Sequence, residues 1–225
     1  MISICLPTYN RAALLKERAI PTVLAQTSTD WELIVVDDQS TDNTRDVVRG
    51  FDDDRIKYCR TVNDRYARYP QTAENHWLAG PVVALNAALK HVKGDWIARI
   101  DDDDLWTPDH LERLLTFALN HGYEFVSSHY ATDLEGKNIV RGHIVGGVQT
   151  WLYRASLPYR YDINCWRKSH NRVNDLDISE RMVRGGVKMG YLPEVTAFVL
   201  PRPGETEVGS KAYLADPAKT EEFYK

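Results

Sequence analysis

Short apolar runs and stretches of helical periodicity alternate along the first half of the chain, with polar residues or glycine at the junctions. Residues 2–6 read as a strand. Pro7-Thr8-Tyr9-Asn10 follows, then a helical stretch over about 11–26 that Pro21 should kink or divide. A second strand covers 32–36 and ends in Asp37-Asp38. Asp42 or Asn43 then caps a short helix through Arg49, stopped by Gly50, and 55–59 forms a third strand. In 81–92, Val82, Leu85, Leu89 and Val92 fall on one helical face, with Pro81 suited to the first turn and Gly94 to the stop. Residues 95–100 make a fourth strand. Thr107 as N-cap and Pro108 open the clearest helix, whose buried stripe is Leu111, Leu114, Leu115, Ala118 and Leu119, with Gly122 at its end. A fifth strand covers 123–129. Gly136, Gly142, Gly146 and Gly147 then punctuate a hairpin region, a helix spans about 175–184, and a strand lies near 195–200. The tail from Pro201 reads as loop or flap. This βαβ alternation predicts an α/β fold around a mostly parallel sheet.

Composition narrows the class. The chain has 225 residues, 43% hydrophobic and 27% charged, enough for one large α/β domain that folds without a disulfide or metal staple. Lys plus Arg (28) against Asp plus Glu (32) gives a net charge of −4, so stable nucleic-acid binding is not expected. Cys5, Cys59 and Cys165 are an odd count with no close pairing, which fits reduced thiols rather than a disulfide framework or zinc module. No apolar run approaches the length of a membrane span, and the N-terminus lacks a signal-peptide pattern. The expectation is a soluble, cytoplasmic chain with no transmembrane segment.

Candidate chemistry gathers at strand ends, where ligands bind in parallel α/β sheets. Three polar clusters fall there: Pro7-Thr8-Tyr9-Asn10-Arg11, Asp37-Asp38-Gln39-Ser40 and Asp101-Asp102-Asp103-Asp104. Four adjacent carboxylates repel one another unless a cation or solvent intervenes. A divalent cation held by one or two carboxylates plus substrate phosphates is one reading. A solvated turn is the other, and Asp52-Asp53-Asp54 reads that way. An EF-hand is disfavoured because Trp106 stands where that loop needs glycine.

These blocks carry a resemblance. Pro7 to Arg11, the run Trp31-Glu32-Leu33-Ile34-Val35-Val36-Asp37-Asp38-Gln39-Ser40 with Thr41 to Thr44, and Gly94 to Trp106 resemble the family 2 glycosyltransferases of GT-A fold, in the same order and spacing, over about residues 1–130. The resemblance implies a GT-A (Rossmann-like) three-layer α/β/α architecture with a mostly parallel central sheet. It would occupy 1–225 as one domain, with a nucleotide-sugar-binding half in 1–104, an acceptor and catalytic half in 105–200 and a tail or flap in 201–225. It also implies a nucleotide-sugar donor (UDP is commonest in the family), a carbohydrate or other hydroxyl-bearing acceptor, Mn2+ or Mg2+, and inversion at the anomeric carbon. On the matching positions, Pro7, Thr8 and Tyr9 would touch nucleobase and ribose, Arg11 would join the donor-binding set, and Asp38 would accept a hydrogen bond from the base. Asp103, with Asp101 in the Asp-x-Asp pattern, would bind the metal, and Asp102 would lie near the ribose or donor sugar. Asn86 stands in Ala-Leu-Asn where the family often has Ala-Arg-Asn. Leu85 thus removes a phosphate-side cation, with Arg99 or an arginine of the 60–70 segment as substitutes.

The implied general base falls in Asn174-Asp175-Leu176-Asp177-Ile178-Ser179-Glu180-Arg181, with Asp175 in the base position, Asn174 replacing the usual acid and Asp177 the main competitor. The plainer alternative has Asp175 favouring a helix N-terminus and Asp177 pairing with Arg181. The segment 60–80, with Arg65, Tyr66, Arg68, Tyr69, His76 and Trp77, is long for a connector, and its arginines are expected to reach the donor diphosphate or an anionic acceptor. Trp31, Trp96 and Trp106 read as packing residues. Trp151, Tyr153, Tyr159, Tyr161 and Trp166 suit either an acceptor wall or packing. His143 and His170 read as surface or hydrogen-bonded side chains. With 72 positions between Asp103 and Asp175 and little after the base helix, neither a separate acceptor domain nor membrane-spanning helices are expected. Competing readings are a sugar-1-phosphate nucleotidyltransferase, which would need a Gly-rich loop after the first strand, a phospho-receiver domain, whose acidic pair would follow the first strand, and a non-catalytic nucleotide-sugar binder.

Overall fold

Strand β1 (Ile2–Thr8) sends alternate side chains to opposite faces, and both faces are buried. Ile2, Ile4 and Leu6 enter one apolar cluster and Cys5 the other. In β2 (Trp31–Asp37), Leu33 and Val35 join the first cluster, Ile34 and Val36 the second. A computed structural model describes residues 1–62, 66–142, 144–167 and 173–209. Within them the further strands are β3 (Ile56–Arg60), β4 (Trp96–Arg99), β5 (Asp104–Trp106), β6 (Phe125–Ala131), β7 (Ile139–Val140), β8 (Leu152–Arg154) and β9 (Met189–Val199). The sheet order is β3-β2-β1-β4-β8-β6-β9-β5, with β7 paired to β6. β1, β2, β3, β4, β6 and β9 run one way, while β5, β7 and β8 run against them.

Helices cover both faces and make the three layers. Leu15, Ala19, Ile20 and Val23 from the first helical stretch, Val48 of α3 (Thr44–Arg49) and Leu111, Leu114 and Ala118 of α6 (His110–His121) pack into the first cluster. Ala79 of α4 (Ala73–Ala79), Val82, Leu85 and Ala88 of α5 (Val82–Ala88), and Ile178 and Met182 of α7 (Asn174–Arg184) fill the second. Among the described residues no helix is long and apolar enough to cross a membrane.

Several elements differ from the pattern-based expectation. The interruption assigned to Pro21 takes the form of a π-helical turn (Leu15–Ala19) between α1 (Ala12–Leu14) and α2 (Ile20–Leu24), with Pro21 in the first turn of α2. That position tolerates a missing N–H, so the helix widens instead of breaking. The 60–80 segment is not all connector, because α4 lies inside it, capped by the Thr72 side chain accepting from the Asn75 amide (3.2 Å). α6 begins at His110 rather than at Pro108. The Thr107 hydroxyl donates to Asp109 (2.7 Å), and the Leu111 amide is satisfied by Gln26 Oε1 (3.0 Å) from the distant first helical stretch. Leu119, counted in the buried stripe, is 56% exposed. β9 starts earlier than expected, and β5 and β8 follow no sequence signal. Gly122 ends α6 with φ +66, a left-handed cap that suits glycine.

Candidate active site

Because β1, β2 and β4 are parallel, their carboxyl ends meet at one edge, and the polar residues beyond them interlock. The Asp38 amide donates to the Thr8 carbonyl (2.8 Å), the Asn10 amide to the Ser40 hydroxyl (2.9 Å) and the Thr41 amide to Asn10 Oδ1 (2.7 Å). Asn10 (φ 51) and Gln39 (φ 71) both adopt the left-handed region, a conformation that costs energy for residues with a Cβ. Asp37 is fully buried and structural. It accepts from the Ser40 amide (2.7 Å), the Tyr58 hydroxyl and Arg60 Nη1 (3.0 Å).

A cleft of about 710 Å³ opens over this edge. Pro7, Thr8, Tyr9, Arg11, Asp38, Asp101, Asp102, Asp103 and Asp175 all line it. Asn86 does not. Its Nδ2 donates to the Tyr161 carbonyl (2.8 Å) and its Oδ1 accepts from the Tyr161 amide (3.0 Å), so it clasps a backbone loop instead of meeting the donor side.

Arg99 links the acidic run to the start of α7. It is 4% exposed. Its Nε and Nη2 donate to Asp101 (3.0 and 2.9 Å), and its Nη1 donates to Asn174 Oδ1 (3.2 Å). Asn174 Nδ2 in turn donates to the Leu78 carbonyl at the end of α4 (3.1 Å). Asp175, the next residue, reaches the cleft, whereas Asp177 is buried against Arg181 in an i, i+4 ion pair (2.9 Å) and lies outside the lining. Arg68 is engaged within the protein. It forms a fork with Asp38, Nη1 to Oδ2 at 2.7 Å and Nη2 to Oδ1 at 2.8 Å, while the Thr61 hydroxyl also donates to Oδ1 (2.8 Å). Arg65, His143 and His170 lie outside the described residues.

The electrostatics of the run are those of crowded acids. Burial, then the Asp103 charge, push the Asp102 carboxyl up to about 7, although Thr8 donates to it (2.8 Å). Burial also raises Asp103, with Arg202 working against the shift. Asp104 is raised well above the usual carboxylate range by burial and by Asp103. Asp175 is raised by burial and held back by Arg99. A divalent cation fits such a set, because hard oxygen donors in mutual repulsion are what it relieves. Among the described residues no three His, Cys, Asp or Glu side chains converge closely enough to cage a cation alone. Asp103, with Asp101, would hold one together with substrate phosphates and water, the usual arrangement for Mg2+.

Of the aromatic set considered for an acceptor wall, Trp151, Tyr153 and Tyr161 are buried core residues, as are Trp31, Trp96 and Trp106. Other wall residues escaped the sequence reading: Trp77 on α4, Tyr130 on β6, Gln149, and Arg202 and Glu207 in the segment after β9. The missed signal for Arg202 was the strand-end rule itself, since β9 runs parallel to β6 and delivers its carboxyl end to the same edge. Arg202 donates to Glu205 (2.8 Å) and stands 3.8 Å from Asp103. Arg18, on the π-helical turn, ties that segment down. Its guanidinium donates to the carbonyls of Asp103 (3.1 Å), Leu200 (3.2 Å) and Pro201 (2.8 Å).

Comparison with known proteins agrees with this geometry. The family model described as "Glycosyl transferase family 2" matches residues 3–175. An Escherichia coli protein named UDP-Glc:alpha-D-GlcNAc-diphosphoundecaprenol beta-1,3-glucosyltransferase WfgD is 34% identical over 145 residues, 64% of this chain and 51% of that protein. The chain spans about half the length of the curated relatives it matches. Among solved structures, S. aureus TarS 1-349 in complex with UDP-GlcNAc superposes with a TM-score of 0.67 at 18% identity, over 94% of this chain and 61% of that one. The mannosyltransferase PcManGT from Pyrobaculum calidifontis, in complex with GDP-Man and Mn2+, gives 0.67 at 20% identity, over 88% and 56%. These structural neighbours establish the GT-A fold.

Proposed function

The chain belongs to glycosyl transferase family 2, and from that premise we propose that it transfers a sugar from a nucleoside-diphosphate donor, a UDP-sugar, to an acceptor hydroxyl with inversion, dependent on Mn2+ or Mg2+. The observation that carries this reading is that the acidic run and Asp175 line one cleft, joined through Arg99 and Asn174. The curated relative's name specifies a UDP-glucose donor and a saccharide acceptor on a lipid diphosphate, and we extend to this chain a donor of that class and a carbohydrate acceptor.

The roles follow from charge and position. Thr8, Tyr9 and Pro7 bind nucleobase and ribose, with Arg11 beside them. Asp38, oriented by the Arg68 fork, accepts from a base N–H. Asp102 lies toward the ribose or donor sugar. Asp103 and Asp101 would hold the divalent ion, which would supply positive charge against that left on the departing nucleoside diphosphate. Asp175 accepts the proton of the acceptor hydroxyl as its oxygen bonds to the anomeric carbon and the bond from that carbon to the diphosphate oxygen breaks. Its raised pKa makes it a better proton acceptor than an exposed aspartate, and the Arg99 charge works against that rise.

The test is a thermal-shift panel of UDP-, GDP- and dTDP-sugars with and without Mn2+, joined to a transfer assay. A UDP-sugar should raise the melting temperature most, and Asp103→Ala should lose the metal-dependent part. Asp175→Asn should keep donor binding while losing about 10²-fold or more in transfer, the scale of a lost general base. Undiminished transfer in Asp175→Asn would remove the base assignment. Donor binding without turnover on any acceptor would leave a binding protein.

A further inference from the structure

Trp77 sits on α4, inside the long 60–80 segment, and its half-buried side chain lines the cleft. The neighbouring Leu78 carbonyl accepts from Asn174 Nδ2 (3.1 Å) and from the Cys165 thiol (3.2 Å), which fixes the end of α4 against the start of α7. Trp77 and Asp175 are each one residue from that hydrogen bond, and both face the cleft. From the other side the segment after β9 reaches α4, where a Cβ on Gly209 would lie 4.0 Å from the Trp77 ring. Glu207 of the same segment also lines the space.

An indole that shares its cleft with carboxylates suits one ligand class. A pyranose ring offers a C–H face to stack on an aromatic surface and a rim of hydroxyls that donate to carboxylates. An acyl tail would have to desolvate Asp175 and Glu207 with no hydrogen bond in return. We propose that Trp77 forms an acceptor subsite for a pyranose ring, stacked on the indole with its reacting hydroxyl directed to Asp175. The inference rests on the transferase reading for the identity of the reacting hydroxyl, while the subsite itself is tested by binding alone.

The protein labelled with 5-fluorotryptophan is titrated with methyl glycosides of glucose, galactose and N-acetylglucosamine, with and without UDP and Mn2+, and followed by fluorine NMR. The Trp77 resonance is assigned by its absence in Trp77→Phe. At least one glycoside should shift it. Trp77→Ala should weaken that glycoside by about tenfold and Trp77→Phe by much less, the scale of one aromatic stacking contact. Far-UV circular dichroism and melting temperature, equal in all three proteins, report that each variant is folded. The subsite is overturned if no glycoside moves the Trp77 resonance in either state, or if Trp77→Ala binds glycoside as tightly as the parent. Failure of the parent to bind UDP would instead overturn the donor reading, and the titration without UDP then judges the subsite separately.

Discussion

Removing the guanidinium of Arg68 takes the forked counter-charge from a carboxylate that is itself buried. The side chains of Arg68 and Asp38 are 5% and 4% exposed, so solvent does little to screen the change. Breaking a buried, hydrogen-bonded ion pair from one side costs about 3–5 kcal/mol. For a chain of this size that lowers the melting temperature by about 6–20 °C. Arg68→Met should show this loss in urea unfolding followed by far-UV circular dichroism. The double variant Arg68→Met/Asp38→Leu should recover most of it, because replacing both members by apolar groups leaves no buried charge unpaired. UDP affinity should be low in both, since Asp38 is misoriented in one and absent in the other. The reasoning fails if Arg68→Met lies within about 1 kcal/mol of the parent, the behaviour of an exposed pair, or if the double variant is as unstable as the single.

Two further outcomes follow from the cleft. With Asp102 pushed up to about 7 from an ordinary 3.8, and Asp103 also raised, the folded metal-free protein keeps protons that the unfolded chain has released. Stability from these groups is therefore fullest below the unfolded value and falls as pH rises toward 7. Thermal melts in chelator should decline over about pH 4 to 7 while the increment from added Mn2+ grows, and a flat or rising chelator profile would contradict the cause given. Asn86→Ala should cost about 1–3 kcal/mol for two lost hydrogen bonds to the Tyr161 backbone and leave UDP affinity unchanged. Weakened UDP binding with stability intact would return Asn86 to the donor side.

What the sequence made legible was whatever depends on local pattern. β1 and β2 are visible because alternate residues face two buried layers, and the strand-end clusters are visible because parallel strands deliver their ends to one edge. The clasp of Asn86 on Tyr161 was not legible, because a side-chain amide looks the same in sequence whether it meets a ligand or a backbone 75 residues away. The arginines of the 60–80 segment read as reaching a donor diphosphate or an anionic acceptor because nothing local shows the pairing of Arg68 with Asp38, 30 residues earlier. The start of α6 was misplaced for a similar reason, since its cap comes from Gln26 and not from Thr107. Trp151, Tyr153 and Tyr161 lie in a region without periodicity, so composition alone could not separate packing from a sugar wall.

The π-helical turn at Leu15–Ala19 imposes a length constraint on the chain. Deleting one residue there would restore ordinary winding and rotate the preceding turn by about 100° relative to α2. Leu15 and Ile20, both fully buried, and Arg18, gripping the carbonyls of Asp103, Leu200 and Pro201, would then no longer be served by one helix. The extra residue works as an indexing notch that sets the angular phase between an apolar stripe and a single cation, and through that cation aligns two backbone segments about 100 positions apart at the rim of the cleft.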